Sequence, residues 1–170
     1  MNEQVVIGID PGLRGAIAAI RDGKFITAVS MPVEAKAKKG ERVDSQALYD
    51  ALRSVHEKAV QGTTHQVTIA VELVYAMPFL GASSMLSLGD SFGCARTAAC
   101  LIIPAARIEL VPPATWKRFT KTQGKQKKYS VVRARALFPD CRSLITHPKK
   151  HEGLAEALLI AYYVSRVVLA

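Results

Sequence analysis

The stretch VVIGIDPGLRGAIAAI, residues 5 to 20, is apolar almost throughout and yet carries a carboxylate, Asp10, near its midpoint. Its β-branched opening, Val5 to Ile9, predicts a strand buried on both faces. Asp-Pro-Gly then ends it, because Asp can bond its own downstream backbone, Pro presets φ and Gly accepts positive φ. A simple turn explains these three residues. A carboxylate at the end of a buried strand fits a functional site equally well, and this stretch alone does not separate the two.

The remaining segments continue an α/β order within what reads as one domain, residues 1–170. Ala16 to Ile20 and Phe25 to Val29 are apolar runs flanking RDGK, where Asp22-Gly23 signals a tight hairpin turn. MPVEAKAKKGERV (31 to 43) is polar and Lys-rich and is expected to be a mobile loop. Asp44 can cap a helix in which Leu48, Ala51, Leu52, Val55 and Ala59 recur at helical spacing, ended by Gln61-Gly62. VTIAVELV (67 to 74) is the next buried strand, and RIELV (107 to 111) a short one. Between them, residues 83 to 102 have a helical period interrupted by Gly89 and Gly93. There Ser87, Gly89, Ser91 and Gly93, with Met85, Leu86, Leu88 and Phe92, suit close packing on a sheet or on a second subunit. Glu152 to Val168 predicts a last helix with Ala155, Leu158, Leu159 and Tyr162 facing inward.

This order implies a topology. The first three strands form an antiparallel meander, and a helix then crosses over to the Val67 strand, which should lie parallel to the first. Asp10 and Glu72 would end adjacent strands about 5 Å apart, at the sheet edge where open α/β sheets place ligands. Glu72 stands where a buried strand should hold Val or Ile, and no Lys or Arg lies between Gln66 and Leu88 to neutralise it. Glu152 and Glu156 add two acids at i, i+4 on one helix face. Clustered carboxylates repel, and a divalent cation relieves that cost; oxygen-only ligands suit Mg²⁺ or Mn²⁺. Asp10, Glu72, Glu152 and Glu156 are therefore candidate ligands for two ions about 4 Å apart, an arrangement suited to phosphodiester cleavage.

Charge points to a polyanion. The net charge is +9 with a pI near 9.7. From residue 110 to residue 139 there is no acid, while Lys117, Arg118, Lys121, Lys125, Lys127, Lys128, Arg133 and Arg135 all fall there. Cations of one sign without counter-charges repel one another, so a phosphate-binding surface explains them better than a solvated helix face. Trp116 and Phe119 are the bulky aromatics near the centre of this tract, too few for a membrane-surface role, and Trp116 reads as a packing anchor. No apolar run approaches the roughly 18 residues of a membrane span. The opening MNEQVVIGID lacks the basic and apolar regions of a secretory leader. Three cysteines without a Cys-x-x-Cys pair read as reduced thiols, with no zinc site.

GIDPG, the isolated Glu in AVEL, and the terminal HEGLAEALLIAYY helix together resemble the RuvC-like Holliday junction resolvases, most closely the phage and chloroplast branches. The resemblance covers almost the whole chain. It implies an RNase H-like fold with a five-stranded mixed sheet flanked by helices. It also implies a homodimer that nicks four-way DNA junctions symmetrically with Mg²⁺ or Mn²⁺, in recombination and repair. By position, the family's acids fall on Asp10, Glu72, Glu152 and Glu156. Lys117 and Lys128 fall where related resolvases place basic residues at the scissile phosphate. Arg118, Lys121, Lys125, Lys127 and Arg133 would serve DNA binding.

The bacterial pattern spaces its last two acids three residues apart, which would select Gly153, whereas this chain carries them at i, i+4. His151 beside Glu152 could assist a metal or a proton transfer, although a lone exposed His at a helix start more often does neither. An RNase H-type or flap endonuclease and a non-catalytic junction-binding protein are the alternatives. A sugar-kinase or actin-like ATPase half also opens on GIDxG but needs a second such domain. The expected compartment is the cytoplasm of a bacterial or phage-infected cell, or an organelle nucleoid for a trimmed chain.

Overall fold

A computed structural model describes residues 4–37, 40–62, 66–76, 78, 80–104, 106–126 and 128–169. Lys127, one of the candidate DNA contacts, lies outside the described residues. Strands β1 (Gln4–Asp10), β2 (Ala16–Arg21) and β3 (Lys24–Ser30) form the expected antiparallel meander. Its tight turn takes Asp22 and Gly23 through φ of 50° and 75°, the left-handed values a two-residue hairpin of this kind requires.

The next elements depart from expectation. In place of a loop over 31 to 43 there is a small antiparallel pair, β4 (Val33–Ala35) with β5 (Glu41–Val43), set apart from the main sheet. Arg42 pairs with Glu34 across it at 2.7 Å, and Gly40 makes the turn back at a φ of 93°. Lys38 and Lys39 lie outside the described residues.

Helix α1 (Ser45–Val60) is capped as expected, the Asp44 carboxylate accepting from the Ala47 N–H at 2.9 Å. It crosses to β6 (Gln66–Glu72), which lies parallel to β1. Helix α2 (Ala82–Ile102) leads to β7 (Arg107–Val111), parallel to β6, completing a five-stranded sheet in the order β3-β2-β1-β6-β7. The basic tract then forms two helices, α3 (Pro113–Phe119) and α4 (Lys128–Leu137). A 3-10 turn (Pro139–Ser143) and a loop lead to α5 (Glu152–Tyr163), which ends in a π-helical turn (Val164–Val168).

Period-two alternation along the strands divides the core in two. Val5, Ile7 and Ile9 of β1, with Ile69 and Val71 of β6, face α1 and α2 through Leu48, Leu52, Ala95 and Ala99. Val6 and Ala70 face the opposite way, onto α5, with Trp116 and Val131 packed alongside. Asp10 and Glu72 share the parity of Val6 and Ala70, so both acids belong to the α5 face.

Close approach of α5 to that face depends on small residues. A Cβ on Gly8 would sit 2.1 Å from the Ala157 carbonyl oxygen, and one on Gly153 2.1 Å from that of Arg14. Two backbone contacts thus press α5 against β1 and against the loop that follows Asp10.

Helix α2 packs on its own fold through Ser91 of the expected small-residue stripe, not through Gly89 and Gly93. Ser91, Ala95, Ala98 and Ala99 are buried, whereas Leu86 and Leu101 are 76 % and 64 % exposed, and a Cβ at Gly89 or Gly93 would meet nothing within 4 Å. Cys94, Cys100 and Cys141 are free thiols.

Candidate active site

Parallel pairing sets Ile9 opposite Val71, so Asp10 and Glu72 end their strands side by side at one edge of the sheet. The turn after Asp10 is also real. Its carboxylate accepts the Gly12 N–H at 3.2 Å, and Gly15 N–H bonds the Gly12 carbonyl at 2.8 Å. Asp10 therefore both forms the turn and faces a cleft of about 990 Å³.

Glu72, Glu152, Glu156, Lys117 and Lys128 line the same cleft. The four candidate acids come from three elements: β1, β6 and the first two turns of α5. Glu72 is steadied by a partner distant in sequence: the indole Nε1–H of Trp116 donates to its Oε1 at 2.9 Å. Trp116 is fully buried, as a packing anchor must be. Glu156 accepts from the Ser130 hydroxyl at 3.0 Å, and its Oε1 lies 4.0 Å from Lys117 Nζ. Lys117 in turn lies over the Trp116 ring, 5.0 Å from its centroid.

The electrostatics register this crowding. Burial first, then the charges of Glu72 and Glu156, push the Asp10 carboxyl up from its usual range to about 7, against the Gly12 N–H and Lys117, which pull it down.

Among the described residues, no three of His, Cys, Asp and Glu converge closely enough to hold a metal ion by themselves. The four acids share a cleft but do not come close enough together to form the two-ion site expected from the sequence. The donor set still suits a hard divalent ion. It is all carboxylate, and a cation would relieve the repulsion felt by Asp10. Mg²⁺ characteristically binds through one or two carboxylates and completes its shell with waters and substrate phosphates. Asp10, Glu72 and Glu156 are the residues that would hold it, with Glu152 beside them.

Gly153 explains the acid spacing. Position 153 points at the Arg14 carbonyl, where even a methyl group cannot fit, so an acid three residues before Glu156 is excluded in this chain. His151 has a structural task. Its Nδ1 accepts the backbone N–H groups of Thr146 and His147 at 3.0 and 3.2 Å, which shapes the loop entering α5.

The basic candidates separate. Arg118, Lys121 and Lys125 are exposed but do not line the cleft, and Arg133 is half-buried on α4 with its Nε enclosed and unbonded. Three cations not singled out from the sequence do line it: Arg14, Lys149 and Lys150. Arg14 sits on the Asp10 loop and the two lysines just before α5. Their nearness to the acids along the chain was the available signal. The acids are thus bordered by cations from more than one segment.

The architecture is an RNase H-like fold: a mixed five-stranded sheet flanked by helices, in the variant seen in RuvC. Over 95 % of its length the chain superposes on 95 % of Thermus thermophilus RuvC in complex with Holliday junction substrate, with TM-score 0.55 and 15 % sequence identity. A second Thermus thermophilus RuvC structure matches over 96 % of each chain, with TM-score 0.51 and 16 % identity. No protein-family model and no curated protein matches the chain by sequence.

Proposed function

We propose that the protein is a divalent-metal-dependent endonuclease that resolves four-way DNA junctions by paired nicks. The observation that carries this reading is that Asp10, Glu72 and Glu156 line one cleft bordered by lysines, where burial and the two glutamates together push the Asp10 carboxyl upward. A carboxylate cluster facing a phosphate backbone only weakens binding unless it serves chemistry. Bound at these acids, Mg²⁺ or Mn²⁺ ions would supply Lewis acidity at the scissile phosphate and activation of water.

The chain's own residues do the rest. Arg14, Lys149, Lys150 and Lys128 neutralise phosphates and fix the strand in register. Lys117, beside Glu156, adds positive charge where negative charge grows in the transition state. Likeness to a RuvC bound to Holliday junction substrate supports a branched DNA as the partner.

Two opposed nicks need two active sites related by a two-fold axis, so we propose a homodimer. Its interface would be the outward face of α2, where Leu86 and Leu101 flank the open Gly89 and Gly93.

The test is cleavage of matched four-way junction, flap and RNA:DNA hybrid substrates with Mg²⁺ and with Mn²⁺. Paired, symmetrical nicks in the junction alone are expected. Preferential cleavage of the hybrid or the flap would place the protein elsewhere among nucleases, and junction binding without cleavage would make it a binding protein.

A further inference from the structure

We infer that Trp116 and Ser130 are positioning residues that hold Glu72 and Glu156 in the orientation needed to bind a divalent ion, an inference that rests on the metal-dependent reading above. Both donors are buried, Trp116 fully and Ser130 to within 3 %. Each donates to the Oε1 atom of one acid, at 2.9 and 3.0 Å, from an element other than the one that carries it. Trp116 belongs to α3 and reaches β6, and Ser130 belongs to α4 and reaches α5. The basic tract therefore contributes two neutral hydrogen-bond donors as well as its cations.

Neutral donors matter here because Lys117, 4.0 Å from Glu156 Oε1, already offsets part of the acids' negative charge. A Glu side chain turns about three bonds, and one that faces other carboxylates is driven to swing away from them. A lysine or arginine would restrain it but would also offset the charge that attracts a metal. An indole N–H can only donate and carries no charge, and a serine hydroxyl can turn to donate. Either one fixes a carboxylate without adding positive charge of its own.

The two residues also look chosen over simpler alternatives. Phenylalanine would fill the space of Trp116 but could not bond Glu72, and a buried indole N–H needs such an acceptor. A helical serine commonly bonds a backbone carbonyl one turn back, whereas Ser130 reaches across to another helix. Partners that orient metal-binding side chains typically change metal affinity or activity about 10- to 100-fold when removed.

The test measures Mn²⁺ binding by calorimetry on the full chain without DNA, alongside metal-free thermal melts. Ser130→Ala and Trp116→Phe are expected to weaken Mn²⁺ binding by about 10-fold or more, and Ser130→Thr, which keeps the hydroxyl, to stay near wild type. Mn²⁺ affinity that is unchanged in Ser130→Ala, or equally weak in Ser130→Thr and Ser130→Ala, overturns the inference. If Trp116→Phe does not fold, the two Ser130 variants decide. A wild type that binds no Mn²⁺ overturns the metal-dependent reading itself, and this inference with it; unchanged variants of a wild type that does bind overturn the inference alone.

Discussion

Burial and the charges of Glu72 and Glu156 push the Asp10 carboxyl up to about 7, whereas in the unfolded chain it ionises near 4. Between those values the folded protein holds a proton that the unfolded chain has released. Stability from this group therefore falls as pH rises from about 4 to about 7, by on the order of 4 kcal/mol in the metal-free protein. Asp10→Asn keeps an acceptor for the Gly12 N–H and removes that cost. The metal-free variant should melt above wild type at pH 8, with the gap narrowing as pH falls towards 4. A variant that melts with or below wild type at pH 8 would contradict the crowding. Asp10, Glu72 and Glu156 could be picked out in the sequence because charge interrupts a strand or helix that should be apolar. The Trp116–Glu72 bond spans 44 residues between side chains with no shared pattern, and Arg14, Lys149 and Lys150 resemble any exposed loop cation.

Helix α5 brings Glu156 to the two strand acids by resting backbone against backbone at Gly8 and Gly153. Gly153→Ala must displace either the helix or the Arg14 carbonyl. It should lower the melting temperature by several degrees and cut junction cleavage by about 100-fold, the scale expected when reacting groups move by about 1 Å. Cleavage near the wild-type rate would show that the contact does not set the site. Gly153→Asp should likewise fail to restore activity to Glu156→Gln. Helix α2 carries a separate prediction. Leu86→Glu with Leu101→Glu should convert a dimer to a monomer of 18.4 kDa in sedimentation, with each chain still folded. A monomeric wild type, free and on DNA, removes the proposed interface. The period of α2 is readable in sequence, but both its faces are apolar, so only the packed fold shows that Ala95 and Ala99 face the sheet while Leu86 faces out.

The five-strand order could be read almost completely from the chain, because continuous apolar runs, a tight Asp-Gly turn and one crossover helix admit few topologies. Three-residue strands lack enough period to be seen, which hid β4 and β5 in a polar segment. The same limit applied to α3 and α4, where the run of cations masks short apolar faces built on Trp116, Val131 and Ala134. What the fold adds is a shared cleft: residues from positions 10, 72, 117, 128 and 156 line one cavity. Single-turnover cleavage of a labelled four-way junction by wild type, Asp10→Asn and Glu72→Gln in Mn²⁺, with junction affinity measured in parallel, tests whether those acids perform the chemistry. Wild type should make paired nicks, and both variants should lose cleavage while binding the junction at least as tightly, because each removes a negative charge that faces DNA. Near-wild-type turnover by either variant, or parallel loss of binding and cleavage in both, would contradict a catalytic role for the acidic cluster.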